Sequence, residues 1–138
     1  TSVTVASTTY TDTGLTASIT PSSSSNKILV LINQDIHAYS GVPSAGVGIK
    51  IYRDSTLLFD PRSDGYGPYE PFYMAFGDIY TRYSIQLLDS PATTSSVTYK
   101  TQGRPYSTAS SGYVVFQNEG GSGYADGSSY IQLIEVVA

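Results

Sequence analysis

The chain has no cysteine, a single histidine and only 13% charged residues, with seven Lys and Arg against eleven Asp and Glu. Without cysteine it has neither a disulfide framework nor a thiolate metal site, so packing and hydrogen bonds must hold the fold. Charge this sparse lies well below the roughly 25% of ordinary soluble domains and implies that part of the surface is covered by something else. Seven scattered cations in a chain of net charge −4 cannot neutralise a row of phosphates, which argues against a nucleic-acid partner. The same deficit disfavours an anionic membrane. No apolar run approaches the roughly 20 residues of a spanning helix; the longest, Ile28 to Ile32, has five. The chain begins at Thr1 with neither methionine nor a signal pattern, as a processed product, an excised segment or a chain traced de novo would.

What is present points to strands. The 138 residues fit one domain, 1–138, and 40% hydrophobic content argues against disorder. The polar surface comes from 36 Ser and Thr and 13 Tyr, types that favour strands or turns and need no counter-ion. Turn signals recur at short intervals and no window sustains a helical period over three turns. The pattern predicts an all-β, antiparallel two-layer sandwich of about nine strands: Tyr10 to Asp12, Thr16 to Thr20, Lys27 to His37, Gly46 to Arg53, Thr56 to Phe59, Tyr80 to Leu88, Ser96 to Gln102, Gly112 to Asn118 and Ser129 to Val137. Within Tyr52 to Phe59, Asp54 and Ser55 read as the turn of a hairpin.

Several strands are apolar on both faces, because alternate side chains point opposite ways. Ile28, Val30 and Ile32 oppose Leu29 and Leu31, and Ile131 and Leu133 oppose Tyr130, Ile134 and Val136. One face packs within the sandwich and the other needs a cover, which a neighbouring copy supplies in a homotrimer. Leu29, Leu31, Ile131 and Leu133 are the expected subunit-interface residues. In the alternative, the chain's own loops cover the second face.

The longest irregular region, Asp60 to Asp78, carries Tyr66, Tyr69, Phe72, Tyr73 and Phe76 among Asp64, Glu70 and Asp78. Tyrosine combines a flat apolar face with a hydroxyl, so Tyr66, Tyr69 and Tyr73 with Asp64 and Glu70 form a candidate platform for a glycan or a partner. Folding inward to pin the loop onto the sandwich is the competing reading. Tyr124, at the tip of the Gly-rich stretch Gly120 to Ser129, is a further candidate in what also reads as a plain hairpin connection. Ser22 to Ser25 read as a solvated turn. Asp60 with Asp64 and Gly65, or Asp126 with Gly127, lack the spacing of a calcium loop, so no metal is expected. His37, the only histidine, falls in a strand with no nucleophile elbow anywhere in the chain, and reads as a strand or interface residue. The acids of the long loop are the sole hint of a glycosidic carboxylate pair. No phosphate cradle or dinucleotide fingerprint occurs, so neither catalytic residues nor cofactors are expected.

The segments TGLTASITPSSSSNKILV, YRDSTLL, LDSPATTSSVTYKTQ and YIQLIEV resemble those of virion structural proteins and tail-fibre modules of tailed phages, particularly those of marine and cyanobacterial hosts. The resemblance spans most of the chain in order and transfers no catalytic residue. It implies a jelly-roll-like sandwich, trimeric assembly and a place in the virion, on the capsid surface or tail, with other virion proteins as partners. Within that frame the function expected is structural, as a capsid decoration or fibre component. The alternative is a receptor-binding fibre tip that contacts host polysaccharide. The regions Tyr39 to Gly46, Asp60 to Asp78, Arg104 to Gly112 and Glu119 to Ser129 would then carry specificity.

Overall fold

The computed structural model describes residues 1–41, 45–60, 72–74, 77–117 and 128–137. Among them run ten strands: β1 (Val3–Val5), β2 (Thr11–Ile19), β3 (Lys27–Ser40), β4 (Ala45–Arg53), β5 (Thr56–Phe59), β6 (Phe72–Met74), β7 (Gly77–Asp89), β8 (Val97–Pro105), β9 (Tyr113–Phe116) and β10 (Tyr130–Val136). A single 3-10 turn, Ala109–Ser111, precedes β9. Every pairing is antiparallel. The first sheet runs β1-β9-β3 with β7 on the far side of β3, and the second runs β2-β8-β4 followed by β5 and β6. Apart from β4-β5-β6 and β9-β10, successive strands cross between two antiparallel layers, and the order β1-β9-β3-β7 over β2-β8-β4-β5 is that of a jelly roll. The extra strand, β10, has a simple cause. β3 is 14 residues long, β9 pairs only with its Ile36 to Tyr39, and β10 takes up the ladder along Lys27 to Asn33.

Alternation along β3 decides the core. Ile28, Val30, Ile32, Ile36 and Ala38 are buried, and across the interlayer space they join Val47, Ile49 and Ile51 of β4, Val97 and Tyr99 of β8, and Val114 and Phe116 of β9 in one hydrophobic cluster. Each fully buried aliphatic or phenyl side chain contributes roughly 1.5–3 kcal/mol of transfer free energy. With no disulfide, this cluster supplies the main cohesion of the sandwich.

Three polar ties hold the sandwich together, two of them between its layers. The first is buried: Thr101 donates its hydroxyl to Gln34 Oε1 at 2.9 Å. Its oxygen lies 2.5 Å from the hydroxyl of Thr13, and the Thr13 oxygen accepts the Leu15 N–H at 3.2 Å. Each hydroxyl has one proton, so the chain of donation runs Thr13 to Thr101 to Gln34. At the end of β7, Asp89 accepts hydrogen bonds from Arg53 at 2.5 Å and from the Tyr99 hydroxyl at 2.7 Å, clasping one sheet to the other. Glu135 on β10 accepts from the Ser22 N–H, the Ser22 hydroxyl and Asn26 Nδ2 at 2.6 to 2.9 Å, so the serine turn is anchored to the first sheet through Ser22 and Asn26.

The expected strands need three adjustments. Residues Tyr10 to Asp12 and Thr16 to Thr20 belong to one strand, β2, whose register slips between Asp12 and Thr16. Gly14 adopts φ +85° there, a backbone state that suits glycine and resembles the break of a turn. β1 and β6, of three residues each, are too short to show an alternation, and β6 lies inside the region expected to be irregular. β3 and β8 run three residues past their expected ends, to Ser40 and Pro105. The hairpin at Asp54 and Ser55 forms as expected, and Asp54 is further secured by accepting the Thr98 N–H at 2.9 Å.

Candidate functional site: the outer face of the first sheet

Residues directly opposite in an antiparallel ladder share a face, so the register of β10, β3, β7 and β9 lays out the solvent side of the first sheet row by row. Leu29 sits between Ile134 and Leu88, and Leu31 between Gln132 and Gln86. Asn33 sits between Tyr130 and Ser84. Further along, Asp35 faces Arg82, His37 lies between Val115 and Tyr80, and Tyr39 between Tyr113 and Asp78. The face is therefore apolar at one end, polar in the middle and aromatic at the other.

At the apolar end Leu88 is 54% and Ile134 40% exposed, and Val136 on the same face is also open to solvent. Leu29, between Leu88 and Ile134, and Leu31 in the next row are half-buried. Isolated exposed aliphatic side chains are ordinary, but a contiguous group on a flat sheet marks a contact surface. In the polar middle the Ser84 hydroxyl donates to Asn33 Oδ1 at 3.1 Å, and Arg82 Nε lies 3.7 Å from Asp35.

The aromatic end is a ladder of rings. The His37 imidazole stacks on Tyr80 with centroids 4.2 Å apart and planes 5° from parallel. Diagonally across on β9, Tyr113 meets it edge-on at 5.7 Å, and Tyr113 stacks in turn on Tyr39 at 5.3 Å. His37 Nε2 is 2.8 Å from Asp78 Oδ1, the imidazole almost buried and the carboxylate half exposed. Cross-strand placement explains the ladder, since opposite and diagonal neighbours in a sheet bring their rings into contact. The hydrogen bond to Asp78 fixes the orientation of the imidazole, and the stack fixes that of Tyr80.

No protein-family model and no curated protein matches this chain. Its function is therefore argued from this geometry.

Of the residues singled out in the sequence, Asp64, Tyr66, Tyr69, Glu70 and Tyr124 lie outside the described residues, and Tyr73 is on β6 opposite Gly46. The four expected interface residues do not share a surface. Leu29 and Leu31 are on the outer face, whereas Ile131 and Leu133 stand opposite Ile32 and Val30 and pack against the core. Register is the physical reason: Ile134, not Leu133, is the neighbour of Leu29, and a shift of one residue changes the face. Leu88, Tyr80, Tyr113 and Tyr39 were not singled out. The even-numbered alternation Asp78, Tyr80, Arg82, Ser84, Gln86, Leu88 was the signal for β7, but the sequence alone does not tell which strand lies beside it.

A second feature is a shallow hollow of about 120 Å³ beside the β2 irregularity, lined by Asp12, Gly14, Leu15, Thr16, Lys100 and Thr101. Its carboxylate is already engaged: Asp12 accepts from Lys100 at 2.9 Å and from Gln102 at 2.7 Å. Those two hydrogen bonds, Lys100 first, hold the Asp12 carboxyl below the usual carboxylate range. Among the described residues no group of three or more His, Cys, Asp or Glu is placed to hold a metal ion.

Proposed function

We propose that the chain is a structural protein of a phage virion, a capsid decoration or fibre component, that works by assembling as a homotrimer and docking on the particle. The observation that carries this reading is the apolar end of the outer face, where Leu88, Ile134 and Val136 surround Leu29. A like copy is the economical cover for it, because most soluble homo-oligomers close by point-group symmetry. The jelly-roll order adds a fold-level analogy, since capsid and lectin domains both use it. Immunogold labelling of purified particles with an antibody against the folded chain tests the reading. Ordered label on heads or tails supports it, and label confined to free protein in the lysate contradicts it.

The second reading, a receptor-binding fibre tip for host polysaccharide, is favoured by one observation, the ring ladder at the opposite end of the same face. The two surfaces are separated by the rows of Leu31, Asn33 and Asp35, so self-assembly and ligand contact are compatible.

A further inference from the structure

We infer that the hollow beside the β2 irregularity is a binding site for one ring of a neutral sugar, whose adjacent hydroxyls are held by the ion pair of Asp12 and Lys100. The inference goes beyond both readings above and depends on neither. It lies on the second sheet, away from the face that trimer contact would cover.

The hollow follows from the register of β2. Asp12 pairs with Gln102 and Thr16 with Lys100, so residues 13–15 stand against Thr101 alone. The surplus makes β2 arch off its neighbour, and Gly14 at φ +85° turns the arch. Irregularities of this kind re-aim side chains and are frequent beside functional sites. Here Asp12 and Thr16 stand at the two ends of the arch with Lys100 on the facing strand, so polar side chains rim a mostly apolar hollow. Leu15 and Thr101, both buried, form its floor.

Size and chemistry choose the ligand. An enclosed cavity of about 150 Å³ holds one six-membered carbon ring, and this shallow hollow of about 120 Å³ takes one pyranose ring with its outer edge toward solvent. Lys100 Nζ is 2.9 Å from Asp12 Oδ2, and Gln102 donates to the other carboxylate oxygen at 2.7 Å, so the pair is fixed before a ligand arrives. It is not saturated. A carboxylate offers about four acceptor positions and an ammonium three donors, of which these contacts use two and one. Both side chains reach solvent, Asp12 at 55% and Lys100 at 30% exposure. Adjacent hydroxyls of a pyranose are spaced like a hydrogen-bonded pair, so one donates to Asp12 while its neighbour accepts from Lys100. The C–H face of the ring then rests on the floor.

Other classes fit less well. A phosphate or a carboxylate meets the charge of Asp12, and a metal ion or an amine meets that of Lys100. A backbone amide carries its donor and its acceptor on opposite sides and reaches only one member of the pair.

The test is amide NMR of the isotope-labelled full chain, titrated with the methyl glycosides of glucose, galactose and mannose and with tetrahydropyran, the same ring without hydroxyls. At least one glycoside shifts the amides of Gly14, Leu15, Thr16, Lys100 and Thr101 with a dissociation constant on the order of 10 mM, and tetrahydropyran leaves them in place. Asp12→Ala and Lys100→Ala each weaken that binding about tenfold, the loss of a hydrogen bond to a charged group. Lys100→Arg, which keeps a charged donor, stays within about threefold. Unchanged amide dispersion in the rest of the spectrum shows that each variant is folded. Silence of these amides with every glycoside, equal shifts with tetrahydropyran, or binding unchanged in Asp12→Ala and Lys100→Ala overturns the site. Shifts confined to the ring ladder of the first sheet overturn it as well, and favour the receptor-binding reading there.

Discussion

The ring of Phe116 lies against Gly103 across the interlayer space, so closely that a β-carbon built on Gly103 would overlap the ring's outer carbons. Phe116 is fully buried and sits on β9, in one sheet, while Gly103 is on β8, in the other. Glycine is thus a packing requirement at this position. Gly103→Ala forces the ring into neighbours that are themselves close-packed and should cost about 1–3 kcal/mol. Phe116→Leu makes room, so the double variant should be more stable than the sum of the two single losses predicts. Urea denaturation of the four proteins checks this, and strictly additive losses would show that the ring and the glycine are not in contact.

The hydroxyl pair of Thr13 and Thr101 predicts a second asymmetry. Thr101→Val keeps the shape but removes the 2.9 Å donor to Gln34 and leaves the Thr13 hydroxyl only its longer, 3.4 Å hydrogen bond to Gln34 Oε1 in a dry interior, at about 1–3 kcal/mol. Removing all three polar groups together, as Thr13→Val, Gln34→Leu and Thr101→Val, should cost less than the three single changes summed, because no buried donor or acceptor is then stranded. Equilibrium unfolding of the set measures the coupling.

Stability should fall at both ends of the pH scale. Asp12 is held below the ordinary carboxylate range by Lys100 and then Gln102, and Glu135 by Asn26 and then Ser22. Their contribution is present above the unfolded value of about 4 and is lost as pH falls through the lower folded values. Glu135→Gln should therefore flatten the acid limb of a plot of thermal midpoint against pH. The phenols of Tyr99 and Tyr83 are pushed up, Tyr99 first by burial and then by Asp89, Tyr83 by burial. Raised acidic groups contribute stability below the unfolded phenol value of about 10 and lose it as pH rises above that. Phenolate absorbance should show a fraction of the tyrosines ionising only together with unfolding, and Tyr99→Phe should reduce that fraction.

The legible part of this fold was the period. Lys27 to His37 alternates with apolar residues on both faces, and that alone announced a strand needing two covers. Thr56 to Phe59 was bounded by the Asp54 and Ser55 turn chemistry, and its limits match the observed strand. The unreadable part was neighbour choice. Whether Leu29 meets Ile134 or Leu133 depends on register set by long-range pairing, and nothing local to YIQLIEV specifies it. The ring ladder was hidden for the same reason: His37, Tyr80 and Tyr113 come from three strands far apart in sequence and meet only through the β7-β3-β9 order. The division into Tyr10 to Asp12 and Thr16 to Thr20 erred in the other direction, since Gly14 between them permits an irregularity within one continuous strand.

The central claim is that like copies cover the apolar end of the first sheet. Sedimentation equilibrium of the full chain and of Leu88→Asp measures it most directly, because Leu88 is the most exposed member of the group and makes the smallest contribution to the core. The account predicts a mass of three times the 14.7 kDa chain for the natural sequence, and a folded single chain for Leu88→Asp with its β-sheet circular dichroism retained. A natural sequence that sediments as a single chain at every concentration, or a Leu88→Asp variant that still forms the trimer, would contradict it.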